Sequence, residues 1–560
     1  PNSPVQITEP VRYDFGPSFD PEGRWLYFIS SRTFKPIWDT VQTGTSFSRS
    51  MKPYLLTLKK NIQNPFIPKP RALGYETNET TKKEFNESTN NLKKDKTLDK
   101  KISVEIDLNG ISNRIVEFPV SEGIYEQVIG LSNKVVFSEF PIHESFEKDE
   151  GILWSYNFDK QEIEKIADEV EYVRISSPKE SGDTPRTLLY NSNNKIRAIE
   201  AGTAFTEDIN NDCDFSRKSG WIDLKRIRVS IQYQKEWDQM FHEAWRLQKE
   251  FFWTEDLSGV DWGKVYKRYV RLLPNIGSRS ELSDLIWEMQ GELGTSHAYE
   301  YGGDYPIVSN YPVGSLGADL VFDKKLKSWV FQKIFLGDIW KSNEHSPLVE
   351  PGILVEEGDI LLKIGGIQLD ENNTPGKLLV NQAGQLVSLT IAKKIYKKQS
   401  QIRFSPSREI FVKTLLSEKG VRYREWVKNN RKIVSSLTNR RIGYIHIPDM
   451  STNGIAEFHR GYLNQVDLEG LIIDVRYNAG GMVSPLILEK LTHRHLGYDV
   501  PRWGKPESYP YHTLRGHIVM IANQFTGSDG DMFTESFRQL NLGTIVGKRT
   551  WGGVIGIDGR

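Results

Sequence analysis

The stretch ANQFTGSDGDMFTESF, residues 522–537, sets Ser528 in Gly-Ser-Asp-Gly between an apolar strand pattern and a helical one. Small residues at such a junction satisfy a turn. A nucleophile there needs more: a base within reach, and backbone N–H groups aimed at the developing oxyanion. A second loop, DVRYNAGGMVS, also follows an apolar run, and its Gly480-Gly481 pair lets backbone approach a ligand closely. If the two loops are neighbours, the N–H groups of Gly481 and Asp529 can form an oxyanion hole. Each loop alone also reads as a simple strand-to-helix turn. The base should be one of ten histidines, and His345, His493, His495 and His512 read as surface residues. His297 differs. It lies in GELGTSHAYEYGGDY, at a helix end, in a Gly/Thr/Ser loop between two packed units, where clefts between units collect chemistry.

These loops need strands and helices to hold them. Residues 401–560 alternate the strand patterns RIGYIHI, GLIIDVR, GHIVMIAN and GTIVGKR with the helical patterns GIAEFHRGYLNQV, SPLILEKLTHRHL and a run from about Gly530. That alternation predicts an α/β catalytic domain with a largely parallel sheet, whose ligands sit at the carboxyl ends of the strands. Upstream, residues 226–305 read as a helical subdomain carrying His297. In EWDQMFHEAWRLQKEFFW, Trp237, Met240, Phe241, Ala244, Trp245 and Leu247 recur at helical spacing and read as core. SRSELSDLIWEMQGEL predicts a second helix with Ser280 as its N-cap.

Residues 306–400 return to strands. GSLGADLVFD and VEEGDILLKIGGIQL together look like a PDZ domain, a fold whose sheet edge and loop N–H groups take extended peptides; an ordinary small β-domain is the plainer reading. Residues 1–225 read as all-β. The Asp-Pro-Glu-Gly turn before WLYFI, and short strands at RIVEFPV, KVVFSEFPI, ILWSYNF and RTLLYN, favour blades at the end of a β-propeller. The polar stretch 76–101 reads as a solvated, disordered insertion.

The bulk composition excludes several classes. Of 560 residues, 73 are Lys or Arg and 73 Asp or Glu, a balance that points away from nucleic acid and anionic membranes. Cys213 is the one cysteine, so no disulfide forms within the chain and a cysteine-rich zinc site is not expected. Neither a membrane-spanning apolar run nor a signal-like segment is visible, and the sequons at Asn78 and Asn86 then carry little weight, which makes the cytosol the simplest expected home. A start at Pro1 and an end at Arg560 within a glycine-rich strand pattern suggest a piece of a longer protein.

EWDQMFHEAWRLQKEFFW, GTSHAYE, DVRYNAGG, TGSDGD and GKRTWGGVIGI, in this order, resemble the tricorn proteases, relatives of the tail-specific serine peptidases. The likeness covers nearly the whole chain except 76–101. It implies a serine endopeptidase acting on short unfolded peptides such as proteasome products, without metal or organic cofactor, assembled as a homo-oligomer (a hexamer in that family). It makes Ser528 the nucleophile, His297 the general base, Ser296 a further member of a catalytic tetrad, and Gly481 and Asp529 the oxyanion donors. The family's Asn-Gly-Gly-Gly reads Asn478-Ala479-Gly480-Gly481 here, which leaves Gly481 as the favoured donor. Asp499, in HLGYDVPR, matches an aspartate that lines the primary specificity pocket from a neighbouring subunit, implying a preference for Lys or Arg before the cut. The tetrad's glutamate would follow TWGGVIGI, beyond Arg560, and no residue here stands in for it. A Ser-Lys tail-specific mechanism would need a lysine on the helix after Ser528, and the next one is Lys548. A non-catalytic peptide-binding scaffold remains the alternative from another class.

Overall fold

In the computed structural model, strands and helices are described for residues 3–9, 11, 13–39, 44–67, 104–142, 150–177, 186–203, 215–339, 341, 344–396 and 402–555. The expected insertion at 76–101, Asn78, Asn86 and Cys213 lie outside the described residues. The chain divides into two units, residues 1–230 and 231–560.

The first unit is antiparallel β-structure of the propeller type. The Asp20–Gly23 turn closes with the Gly23 N–H donating to the Asp20 carbonyl at 2.9 Å, and the Asp20 carboxylate also takes the Arg24 N–H at 3.0 Å. The strand that follows, Trp25–Ser30, is buried along its whole length. It pairs with Asp14–Phe19 on one side and Lys52–Thr57 on the other in a four-stranded sheet. A second sheet is a meander of six successive strands from Ile124–Leu131 to Lys195–Glu200. Trp25, Tyr27, Phe118, Tyr125, Phe137 and Tyr156 fill the core of this unit.

The second unit holds the candidate site. Helices Tyr233–Phe251, Trp262–Tyr269 and Arg279–Gly291 pack around Trp237, Phe241, Trp262, Leu282 and Met289. Leu247 of the expected apolar stripe is exposed instead, because it falls off the face that Trp237 and Phe241 define. The helix cap also differs from expectation. Ser278, with extended backbone, accepts the Glu281 N–H at 3.3 Å while Glu281 takes the Gly277 N–H at 2.7 Å, a reciprocal pair. Ser280 is already inside the first turn.

The PDZ-like sheet runs Ala318–Asp323, Ser328–Ile334, Ile360–Ile364, Leu386–Ala392 and Arg408–Lys413, so it reaches past residue 400. The catalytic-type domain has four parallel strands in the order Ile442–His446, Gly470–Asp474, His517–Ala522 and Gly543–Gly547. Their apolar side chains pack against helices Thr452–Tyr462, Ser484–Thr492 and Asp529–Gln539. Phe533 and Phe537 fix the last of these, whose N-terminal end carries Ser528.

Candidate active site

All four strands point their carboxyl ends the same way, so the loops after Asp474 and Ala522, on adjacent strands, emerge side by side. Buried polar groups then lock the loops together. Asp474, with no exposed surface, accepts from the Tyr444 hydroxyl at 2.7 Å and from the Arg476 guanidinium at 2.6 Å. His446 accepts from the Tyr423 hydroxyl at 3.0 Å and donates from Nε2 to the Arg476 carbonyl at 2.8 Å. Burial pushes the His446 pKa down, so the ring is held neutral in the tautomer that makes both bonds.

Asn478 carries the link between the loops. Fully buried, it donates from Nδ2 to the Ile447 carbonyl at 2.9 Å and accepts the Gly480 N–H on Oδ1 at 2.9 Å. Its carbonyl takes the Gly527 N–H at 3.0 Å. From the other loop, the Asn523 side chain accepts the Tyr477 N–H at 3.1 Å, and the Thr526 hydroxyl donates to the Val475 carbonyl at 2.7 Å. Gly480 has φ +82, and a Cβ there would stand 2.6 Å from Ser528 Cβ and 3.1 Å from the Asp529 nitrogen. The glycine backbone therefore lies directly against the serine.

Ser528 itself has φ 55 and ψ −121, a conformation that costs an L-residue free energy and persists only when the surroundings enforce it. It precedes helix Asp529–Gln539, so the Asp529 N–H points from the positive end of a helix dipole. The Asp529 carboxylate faces away and caps helix Ser484–Thr492, taking the Ser484 N–H at 3.0 Å and hydroxyl at 2.6 Å. With Gly480 committed to Asn478, the N–H groups of Gly481 and Asp529 are left without a protein acceptor among the described residues.

His297 arrives from the helical part of the same unit. Its Nε2 lies 3.1 Å from Ser528 Oγ, and its Nδ1 2.9 Å from Ser296 Oγ. His297 has φ 61 and Tyr477 φ 64, so strained backbone gathers at this point of the molecule. The loop bearing His297 is tied down by Glu300, which pairs with the buried Arg279 and accepts from the Ser283 hydroxyl at 3.0 Å. Tyr299 and Trp551 flank the imidazole, each with its ring centre 5.9 Å away.

The structure thus gathers Ser528, His297, Ser296, Gly481 and Asp529. Asp499 is not among them: it sits exposed on the ribbon of Gly497–Asp499 with Glu507–Tyr509 and contacts neither Ser528 nor His297. Lys548, the first lysine after Ser528, lies exposed just past the edge strand. Asn478, Asn523, Thr526, Glu300 and Trp551 are functional-site residues that sequence reasoning missed. Asn478 stood in a quoted motif, but an Asn in a glycine loop reads as turn chemistry. No helix among the described residues is long and apolar enough to cross a membrane.

Comparison with known proteins adds to this geometry. Residues 1–202 match the tricorn protease second β-propeller domain, 233–291 the tricorn protease C1 domain, 314–406 the tricorn protease PDZ domain, and 441–559 peptidase family S41. Over 99% of its length the chain is 39% identical to a protein of Sulfurisphaera tokodaii named as a tricorn-like protease C-terminal subunit, covering 59% of it. It is 38% identical to a tricorn protease homolog of Saccharolobus solfataricus, again over 99% of this chain and 48% of that protein. The crystal structure of the tricorn protease superposes with a TM-score of 0.82 at 29% identity, over 99% of this chain and 49% of the other. The chain spans about half the length of the curated relatives it matches.

Proposed function

This chain belongs to the tricorn protease family, and from that premise we propose that it cleaves peptide bonds through an acyl-enzyme on Ser528. The observation that carries the reading is the 3.1 Å approach of His297 Nε2 to the hydroxyl of a strained serine at a helix N-terminus. In the tautomer that serves this chemistry, Nδ1–H donates to Ser296 Oγ and Nε2 accepts from Ser528. His297 takes the Ser528 proton as Oγ attacks the substrate carbonyl, and the N–H groups of Asp529 and Gly481 receive the oxyanion. His297 then passes the proton to the leaving amine. Water, activated by the same imidazole, releases the acyl group and regenerates Ser528.

Substrates on this reading are short unfolded peptides, including products of the proteasome, and the setting is the cytosol. Asp499 would select Lys or Arg before the cut from a neighbouring copy in a hexamer. Its exposed place, away from the Ser528 of its own chain, is compatible with that role. The tetrad's glutamate is assigned to no residue of this sequence.

Ser528→Ala tests the reading in a peptide-hydrolysis assay. Removing a nucleophile typically costs several orders of magnitude in kcat. Residual activity within tenfold of the unmodified protein would take Ser528 out of the mechanism.

A further inference from the structure

Trp551 occupies an unusual place. Its ring lies beside His297 and also over Gly527, the residue before Ser528, so it touches both loops that carry the reacting groups. Two glycines make room for it. A Cβ on Gly527 would come within 2.9 Å of Trp551 Cε3, and one on Gly553 within 2.4 Å of Cζ3. Neither glycine has a positive φ, so space and not backbone freedom is what excludes a side chain there. The backbone around the ring is equally determined: Trp551 N–H donates to the Thr526 carbonyl at 2.9 Å and Gly552 N–H to Asp531 Oδ1 at 2.8 Å.

A ring seated with this care is still 54% exposed. Tyr299, on the other flank of His297, is 40% exposed, and Tyr301, with its ring centre 5.5 Å from that of Tyr299, is 81% exposed. Three solvent-facing aromatic rings in a row around a general base are costly in water unless something covers them.

The geometry points to Trp551, with Tyr299 and Tyr301, as a subsite for an apolar or aromatic side chain on the substrate residue that follows the scissile bond. The inference rests on the proposed peptidase reading. The oxyanion donors lie on the Gly481 and Asp529 side, whereas His297 must reach the leaving nitrogen. What borders the imidazole therefore borders the leaving residue. A flat, half-wet aromatic surface stacks on Phe, Tyr or Leu and gives nothing to Gly.

The test uses peptides sharing one acyl portion, with Phe, Leu or Gly after the cut, on the full protein. Trp551→Ala should lower the Phe-over-Gly ratio of acylation rates by about tenfold, while deacylation of the common acyl-enzyme keeps one rate for the whole series. Tyr301→Ala, far enough out to spare the fold, should shift the ratio the same way by a smaller factor. A structural role would lower Phe and Gly substrates equally, and an unchanged ratio with intact labelling by a fluorophosphonate overturns the inference. Failure of the unmodified protein to label at all would strike the peptidase reading instead. In that case equilibrium binding to Ser528→Ala decides: peptides with N-terminal Phe should bind about tenfold tighter than Gly counterparts, and equal affinity overturns the subsite.

Discussion

Asn478→Ala removes one buried side chain that holds both reactive loops, and its effect can be worked out bond by bond. The change deletes the donor to the Ile447 carbonyl and the acceptor of the Gly480 N–H, each at 2.9 Å. Both orphaned groups are backbone groups at a fully buried position. An unsatisfied buried polar group costs about 1–3 kcal/mol, so the expected loss of stability for the two is about 2–6 kcal/mol. The kinetic effect has a separate origin. The bond from the Met450 N–H to the Gly480 carbonyl, at 2.7 Å, survives and still sets the Gly480–Gly481 peptide. The change therefore loosens the Gly481 N–H without releasing it, and kcat should fall by about tenfold, less than the roughly 10²–10³ that outright loss of one oxyanion donor costs. KM should change little, because the donor acts on the transition state. Asn478→Asp sharpens the comparison. It keeps an acceptor for Gly480 N–H, loses the donor to Ile447, and places a negative charge behind the developing oxyanion. Its kcat should fall at least as far as that of the alanine variant. Urea unfolding and steady-state kinetics on the folded fraction read both effects. A folded Asn478→Ala protein with kcat within threefold of the unmodified one would refute the argument.

Other perturbations test the proposed role of Asp499 and two further buried contacts. Asp499→Asn should lower kcat/KM for peptides with Lys or Arg before the cut by about ten- to a hundredfold and change Leu or Phe substrates far less, from the loss of a charge-assisted pair; equal losses would remove the basic preference. Glu300→Ala strips the partner of the buried Arg279 in the loop that carries His297, and should destabilise by about 3 kcal/mol while lowering kcat; unchanged unfolding would contradict it. His446 has a pKa below its ordinary 6.5 because it is buried, so its contribution to stability is complete above 6.5 and is lost as pH falls below it, where the unfolded chain takes up the proton first. The slope from this one group cannot exceed about 1.4 kcal/mol per pH unit, and His446→Asn should flatten it; identical slopes between pH 6.5 and 5 would exclude His446 as the source.

Much of the fold is written in patterns a reader can see. IGYIH, GLIID and HIVMIA are apolar runs short enough for strands, spaced by helical segments, and they form a parallel sheet. Gly-Ser-Asp-Gly and Asn-Ala-Gly-Gly stood out because close backbone approach needs small residues. What stayed hidden depends on the partner and not on the pattern. The helix Lys419–Leu437 went unnoticed because only Val421 and Val427 are buried while Arg, Lys and Asn fill its other faces. Ser280 and Ser278 are two residues apart, and only the reciprocal bond with Glu281 distinguishes the cap. The strand Arg408–Lys413 follows a charged stretch and is recognised by its pairing with Leu386–Ala392. Trp551 reads as one more aromatic until Gly527, Gly553 and His297 are seen around it.

The central claim is that Ser528 becomes covalently acylated with His297 as its base. Fluorophosphonate labelling of the full protein, followed by peptide mapping, tests it most directly. The label should appear on the segment containing residues 522–537, at Ser528. It should vanish in Ser528→Ala and slow by several orders of magnitude in His297→Ala, with both variants folded. Modification of another residue, or labelling of His297→Ala at the unmodified rate, would contradict the account.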